Sequence, residues 1–205
     1  ERCHRIKTNG ASGSPSCALL WCNNLYFDSS LTDYHFGWSN WRLHESYVFS
    51  EKRPGYFHVM NCREGKALLR NCLVFCPVKM HYMYETMGKA ESQDISMMDP
   101  DWLMYFMPGA GMWLHARGGV SEEFETWEQW RAAGFDAHST LTDADPGFVD
   151  PEAGDYRLRA DSPAVGVGSP DTLVPDGIRP GVTHDFFGQP RPNPPSCGAF
   201  EIAEE

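Results

Sequence analysis

The stretch Lys66–Tyr84, KALLRNCLVFCPVKMHYMY, contains three short apolar runs separated by turn residues. Asn71 breaks the chain after the first run and Pro77 breaks it after the second. Short apolar runs bounded by turn residues predict β-strands. Three such strands in one unit are typical of a coil of a β-solenoid, which buries its inner face against the coils above and below.

The strand that follows the first turn recurs along the chain, as a solenoid requires. Related tripeptides begin at Leu25, Tyr47, Leu73 and Leu103, with spacings of 22, 26 and 30 residues. This period fits coils whose loops differ in length. We therefore expect four coils between residues 18 and 117, preceded by a leader or truncated coil over 1–17.

A histidine recurs between apolar or aromatic neighbours in the strand after the next loop, at His35, His58, His81 and His115. Their spacings of 23, 23 and 34 residues predict that the four histidines lie at one position of successive coils. Adjacent side chains of a strand point to opposite faces, so an apolar inner face places the histidines outside. Closely spaced imidazolium groups repel, so several should stay neutral and able to accept a proton. The predicted outer face carries Asp33, His35, Tyr56, His58, Lys79, His81, Trp113, His115 and Arg117.

Composition excludes some classes of protein. The 205 residues carry a formal net charge of −11, which disfavours a general nucleic-acid binder, since such proteins concentrate Lys and Arg. The sequence contains no run of about 18 apolar residues, so it predicts no membrane-spanning helix. The seven cysteines lack paired CxxC spacing, which favours small buried thiols over a zinc knuckle or a disulfide framework.

Residues 118–205 differ in character and predict a capping segment. Ser121 is a suitable helix N-cap, Glu122 and Glu123 suit a first turn, and Gly134 suits a helix end. Beyond Asp143 the chain is rich in Pro, Gly and Asp, which predicts an irregular wrap over the end of the coils. Turn hydrogen bonds are the expected role of Asp136, His138, Ser139 and Asp145.

A series of C-terminal motifs resembles the closing segment of right-handed parallel β-helix proteins of the pectate-lyase-like, carbohydrate-active group. The motifs are Trp130–Ser139, Asp145–Pro151, Tyr156–Leu158, Ser162–Ala164, Gly188–Pro192 and Gly198–Glu201. The resemblance implies an all-β right-handed parallel β-helix with an irregular C-terminal cap containing one short helix. It also implies a secreted, extracellular or periplasmic protein that acts on a polysaccharide or oligosaccharide as a lyase or glycoside hydrolase.

Enzymes of this group usually have more than four coils. The chain is therefore also expected to be the C-terminal part of a larger β-helix enzyme, or to meet further N-terminal coils or a partner chain that covers its first coil.

The outer face suggests β-elimination on an acidic polysaccharide. Lys79 or Arg117 would neutralise a uronate carboxylate, His58 or His81 would remove the α-proton, and Tyr56 or another histidine would protonate the leaving oxygen. The expected substrate-binding residues are Asp33, His35, Trp113 and His115.

Other chemistries stay open at this point. Hydrolysis by two carboxylates would draw on Asp28, Asp33, Glu45 and Glu51, although no pair stands out. The histidines could instead hold a divalent metal ion such as Zn²⁺, the one cofactor that the pattern suggests. Two non-catalytic alternatives are an exposed histidine ladder and a glycan-binding or adhesion solenoid in which Trp113 and Tyr56 stack on sugars.

Overall fold

The computed structural model describes residues 2–9, 17–23, 25–27, 30–49, 55–64, 67–75, 80–85, 98–108, 113–118, 120–124, 126–175 and 180–202. Side chains are described at 22–23, 45–47, 68–75, 99–108, 124, 126–175 and 180–202, and the backbone alone is described in the remaining ranges.

Strands dominate the described part of the chain and form three sheets. The nine-stranded sheet contains β1 (Arg2–Asn9), β2 (Cys17–Cys22), β4 (Ser30–His44), β6 (Gly55–Glu64), β7 (Ala67–Arg70), β9 (Met80–Glu85), β10 (Met98–Asp101), β12 (Trp113–Gly118) and β13 (Val120–Phe124). The five-stranded sheet contains β3 (Leu25–Phe27), β5 (Tyr47–Phe49), β8 (Leu73–Phe75), β11 (Met104–Phe106) and β14 (Thr140–Thr142). A hairpin joins β15 (Phe148–Asp150) to β16 (Asp155–Leu158). The β-rich fold expected from the sequence is therefore confirmed.

Four strand–turn–strand units follow one another with parallel pairing between equivalent strands. The units are β2–β3, β4–β5, β7–β8 and β10–β11. Among the described residues, each turn contains one with positive φ, namely Asn23 (54°), Glu45 (43°), Asn71 (53°) and Trp102 (59°). Backbone hydrogen bonds link successive turns, for example from Leu73 N to Ser46 O and from Met104 N to Cys72 O, both at 2.9 Å.

The fourth unit corrects one sequence alignment. Leu73 pairs with Met104, whereas the sequence spacing had aligned Leu73 with Leu103. Trp102 has the left-handed conformation that Asn71 has in the preceding unit, so the turn extends one residue further. Asn adopts this conformation readily and Trp rarely does, which is why the sequence did not mark the turn at Trp102.

The main buried cluster joins the five-stranded sheet to the C-terminal segment. It contains Tyr47, Leu73, Met104, Phe106, Phe148, Leu158, Ala164, Cys197, Ala199 and Phe200. The Tyr47 ring lies 5.6 Å from the Phe148 ring and 5.3 Å from the Phe200 ring. Residues distant in sequence therefore complete the core of the strand units, so the C-terminal segment stabilises these strands.

The helix begins later than the sequence predicted. Ser121, the expected N-cap, and residues 122–124, expected in the first turn, instead lie in β13, which pairs antiparallel with β12. The helix α1 is Trp127–Ala132, with Thr126 as N-cap in a capping box with Gln129. Sheet pairing thus prevails over the capping signal at Ser121. The predicted helix end at Gly134 is confirmed, since this glycine has a φ of 97° just beyond α1.

The C-terminal segment beyond α1 is largely irregular, as its Pro, Gly and Asp content predicted. Its described regular elements are short strands and a 3₁₀ turn at Pro170–Leu173. Cys72 and Cys197 are buried and Cys22 is half-buried, which agrees with the expectation of small buried cysteines for these three residues. In the described ranges, no helix has the length and apolar character needed to cross a membrane.

Candidate functional site

Three adjacent parallel strands, β6, β9 and β12, hold most of the residues that the sequence singled out. The Cα of Tyr56 pairs with that of His81, which pairs in turn with that of Trp113. The Cα atoms of His58 and His115 both pair with that of Met83, two residues further along. These five predicted residues thus occupy two neighbouring rows, which we call the histidine rows.

Both histidine rows belong to the same set of alternate strand positions, which share one face of the sheet and which we call an alternation set. Positions two residues apart on a strand lie on the same face, and neighbouring strands are about 4.8 Å apart. Arg117 is two residues beyond His115 and belongs to the same set, with its Cα paired to that of Ser121 on β13. The backbone register therefore places six of the nine predicted site residues on one face.

Asp33 and His35 fall in the other alternation set. Thr32 pairs with His58 and Asp33 pairs with Val59, so His35 is not level with His58. From Leu31 to Tyr34, before the register shifts between Tyr34 and Gly37, the paired residues of β4 and β6 are 26 positions apart, whereas the two histidines are 23 apart. These two separations differ by an odd number of residues. Because neighbouring positions on a strand alternate between the two faces, His35 and His58 belong to opposite faces of the sheet.

For the other histidines, the separation in sequence differs from that of the paired residues on the same strands by an even number. Paired residues of β6 and β9 are 25 positions apart, whereas His58 and His81 are 23 apart. The four histidines consequently do not share one position, as their spacing had suggested, although three of them share one face. Loops of unequal length cause the difference, because they change the register without changing the local pattern.

The side chains of these residues lie outside the part of the chain where side chains are described, and Lys79, Asp28 and Glu51 lie outside the described residues altogether. The catalytic roles of His58, His81, Tyr56, Lys79 and Arg117 stay predictions, as do the substrate-binding roles of Asp33, His35, Trp113 and His115.

Glu45, one of the carboxylates considered for hydrolysis, is fully buried. The Asn71 amide donates to its Oε1 at 3.1 Å, and burial raises the pKa of the Glu45 carboxyl to about 7. Asn71 also binds the 3₁₀ turn, since it donates to Ser169 O and to Thr172 Oγ1 at 2.9 Å. The Glu45 carboxyl therefore belongs to the contact between the stacked turns and the C-terminal segment, away from any polymer at the surface.

Asp101 and His138 form an acid–imidazole pair among the described side chains. His138 Nδ1 lies 2.7 Å from Asp101 Oδ2, and the backbone N–H of His138 donates to Asp101 Oδ1, also at 2.7 Å. The imidazole stacks on Trp102 with ring centroids 4.6 Å apart, and 56% of its side chain is exposed. The carboxylate thus orients a solvent-accessible imidazole, which is an arrangement able to transfer protons.

Sequence reasoning missed Asp101 as the partner of His138. The two residues are 37 positions apart and no local spacing relates them. Asp101 Oδ1 also accepts from the Trp102 backbone N–H at 3.0 Å, so the carboxylate holds the turn as well as the imidazole. The expected turn-bonding role of His138 is therefore confirmed.

Asp136 is a fully buried carboxyl that holds the segment after α1. It accepts from Trp130 Nε1 at 2.8 Å, from Ser139 Oγ at 2.5 Å and from the Tyr105 hydroxyl at 3.1 Å. Burial raises the pKa of Asp136 to about 7, although these hydrogen bonds oppose the rise. The roles expected for Asp136 and Ser139 are confirmed.

Asp145 has a similar local role, since its Oδ1 accepts from the Gly147 N–H at 2.6 Å. Within the described side chains, no three His, Cys, Asp or Glu residues are grouped so that they could hold a metal ion. The metal-binding alternative for the histidine rows stays a prediction.

Comparisons with protein-family models, with curated proteins and with solved structures found no match for this chain.

Proposed function

We propose that this chain is a right-handed parallel β-helix protein of the pectate-lyase-like, carbohydrate-active type, acting outside the cell or in the periplasm. The successive strand–turn–strand units with parallel pairing support this fold. The positive-φ residue in each of the four turns supports it further, because coils of one kind repeat their turn geometry. Residues 18–117 would form the coils and residues 118–205 the cap.

The function that we propose is cleavage of a polysaccharide at the face that carries the histidine rows. The observation that supports it is the backbone register, which aligns Tyr56 with His81 and Trp113 and places His58 and His115 two positions away. A flat surface of parallel strands can accommodate an extended polymer across several strands. Proton-transfer groups on neighbouring strands can then act on one sugar unit.

In the favoured reaction, the chain acts as a polysaccharide lyase and cleaves the glycosidic bond of a uronate unit by β-elimination. His81 or His58 would take the α-proton, Arg117 or Lys79 would neutralise the uronate carboxylate, and Tyr56 would supply the proton that the leaving oxygen needs. Trp113 and His115 would contact neighbouring sugar units. Asp33 and His35, in the other alternation set, would contribute only if the polymer reached the opposite face.

A glycoside hydrolase remains the alternative enzyme, although Glu45 is buried and cannot serve as one of its two carboxylates. A non-catalytic glycan-binding or adhesion protein is the alternative outside the enzymes. The alignment of Tyr56 with Trp113 favours it, because two aromatic residues in one row could stack on successive sugars.

A panel of polysaccharides tests the proposal. The purified chain is incubated with neutral and uronate-containing polymers, with and without a chelator, and both reducing ends and ultraviolet absorbance are followed. Elimination produces an unsaturated uronate that absorbs, and hydrolysis produces reducing ends alone. Loss of activity with chelator would show that cleavage requires a metal ion. A folded chain that cleaves no polymer would overturn the enzymatic proposal and favour glycan binding.

A further inference from the structure

An open pocket of about 470 Å³ lies in the C-terminal segment, and none of the residues that line it belongs to the histidine rows. One side is the β15–β16 hairpin, which contributes Asp155, Tyr156 and Arg157. The other side is the turn that contains Phe187 and Gln189, and Phe200 also lines the pocket. We call it the cap pocket.

Phe187 forms an aromatic wall of the cap pocket and is exposed to solvent. This residue is 63% exposed, and the adjacent Phe186 is 51% exposed. The Phe187 ring stacks on that of Phe200 with centroids 5.2 Å apart and an interplanar angle of 27°. Large exposed apolar surfaces are uncommon in proteins unless they bind something.

The turn that carries Phe187 is fixed by a buried carboxylate. Asp185 Oδ1 accepts from the Phe187 N–H at 2.9 Å and from the Gln189 N–H at 2.8 Å, and its Oδ2 accepts from the Glu201 N–H at 3.2 Å. The exposed ring therefore has a defined position relative to the hairpin. A preorganised wall of this kind loses little entropy when a ligand binds.

The opposite side of the cap pocket is polar but balanced in charge. Arg157 Nε donates to Asp155 Oδ1 at 2.9 Å, and Arg157 Nη2 donates to Asp155 Oδ2 at 2.6 Å. Both side chains are partly exposed. A guanidinium has five N–H donors and this pair uses two of them, so further donors and carboxylate lone pairs can serve a ligand.

We infer that the cap pocket binds a neutral saccharide unit. A sugar ring presents an apolar C–H face, which Phe187 can stack against, and a rim of hydroxyls, which both donate and accept. Arg157, Asp155 and the Gln189 amide offer donors and acceptors of both kinds. A uronate fits less well, because Asp155 already neutralises Arg157 and the chain carries a net charge of −11.

This inference goes beyond the proposed cleavage and does not depend on it. A saccharide held in the cap pocket would give the protein a second carbohydrate contact, independent of the histidine rows. A glycan anchored there would be bound at two points, which raises the effective concentration of the polymer at the strand face if that face is active.

The test is binding of monosaccharides, which cannot be cleaved, so that binding is measured without turnover, and substitutions in the cap pocket assign the binding to it. Glucose, galactose, mannose, xylose and galacturonate are titrated into the full chain and followed by saturation-transfer NMR. We expect saturable binding of at least one neutral sugar and weaker binding of galacturonate. Phe187→Ser and Arg157→Gln should each weaken that binding by at least about tenfold, which corresponds to one bidentate or stacking contact.

Val174→Ser is the matched control, because Val174 is an exposed apolar residue that does not line the cap pocket. It should leave sugar binding unchanged. The inference is overturned if no neutral sugar saturates, if galacturonate binds more tightly, or if Phe187→Ser and Val174→Ser bind the sugar equally well. Capture of a hydrophobic peptide by Phe186 and Phe187 in place of sugars would also overturn it.

Discussion

Arg191 Nη1 donates to Glu201 Oε1 at 2.6 Å, and both side chains are almost completely buried. The same guanidinium donates through Nη2 to Asn23 Oδ1 and to Gly198 O, both at 2.9 Å. Glu201 in turn accepts from Ser196 Oγ at 2.5 Å. This ion pair therefore joins the C-terminal segment to the first of the stacked turns.

Replacement of Arg191 by Ala should lower the free energy of unfolding by about 3–5 kcal/mol, because Glu201 would keep an uncompensated buried charge. Urea unfolding followed by circular dichroism measures this. Arg131→Ala is the control, since Arg131 makes an exposed hydrogen bond to Ala137 O, and it should cost less than about 1 kcal/mol. Equal losses in the two variants would contradict the structural role of the ion pair.

Gly198 should tolerate no side chain. Its φ is 108°, and a Cβ atom there would lie 1.6 Å from Tyr47 Cε1. Gly166 also has a positive φ, 64°, but a Cβ atom there would meet nothing within 4 Å. Gly166→Ala should therefore cost about 1–2 kcal/mol from backbone strain alone, and Gly198→Ala should cost clearly more. Thermal unfolding of both variants checks this, and a similar melting temperature for the two would refute it.

Stability should decrease as pH rises between about 4 and 7 through the contributions of Asp136 and Glu45. Burial raises the pKa of each carboxyl to about 7 in the folded chain, above the value near 4 in the unfolded chain. The folded state then binds more protons than the unfolded state in this window. Each contribution is fully present below pH 4 and is lost as pH rises toward 7, at up to about 1.4 kcal/mol per pH unit.

Asp136→Asn isolates one of the two groups. The unmodified chain should lose stability relative to this variant as pH rises from about 4 to 7. Above pH 7 the difference between their free energies of unfolding should stay constant. Urea unfolding at several pH values gives this difference. A difference that does not change with pH would show that folding does not raise the pKa of Asp136.

The start of α1 can be tested with two substitutions. Thr126→Ala should destabilise the chain by about 0.5–2 kcal/mol, because the Thr126 hydroxyl accepts from the Gln129 N–H at 3.2 Å. Ser121→Ala should have a smaller effect, since Ser121 lies in β13 rather than at the N-cap. A larger loss for Ser121→Ala would place the helix where the sequence pattern alone had predicted it.

The proposed catalysis predicts an unequal response of the histidines. Once the polysaccharide panel has identified a substrate, His81→Gln or His58→Gln should reduce kcat by about 10²–10⁴-fold, as expected for loss of a general base. His35→Gln should leave turnover close to that of the unmodified chain, because His35 falls in the other alternation set. Unchanged turnover in all of these variants would rule out proton transfer at the histidine rows.

Much of the local structure could be predicted from the sequence. The strands around Asn71 and the irregular segment beyond Asp143 were predicted from residue type alone, and both are present. Asn at a left-handed turn and Gly after a helix are signals of this local kind. The prediction failed at Trp102, where the tertiary structure imposes a turn on a residue that does not favour it.

The sequence by itself determined most strands of the four strand–turn–strand units, where most turns lie and that the C-terminal segment is irregular, because these properties depend on neighbours within a few positions. The tertiary structure decided the register that separates His35 from His58, since register depends on loop lengths and on pairing between distant strands. It also brought Asp101 to His138, Arg191 to Glu201 and Phe187 to the β15–β16 hairpin. No local pattern contains these contacts, because each joins segments that meet only when the chain is folded.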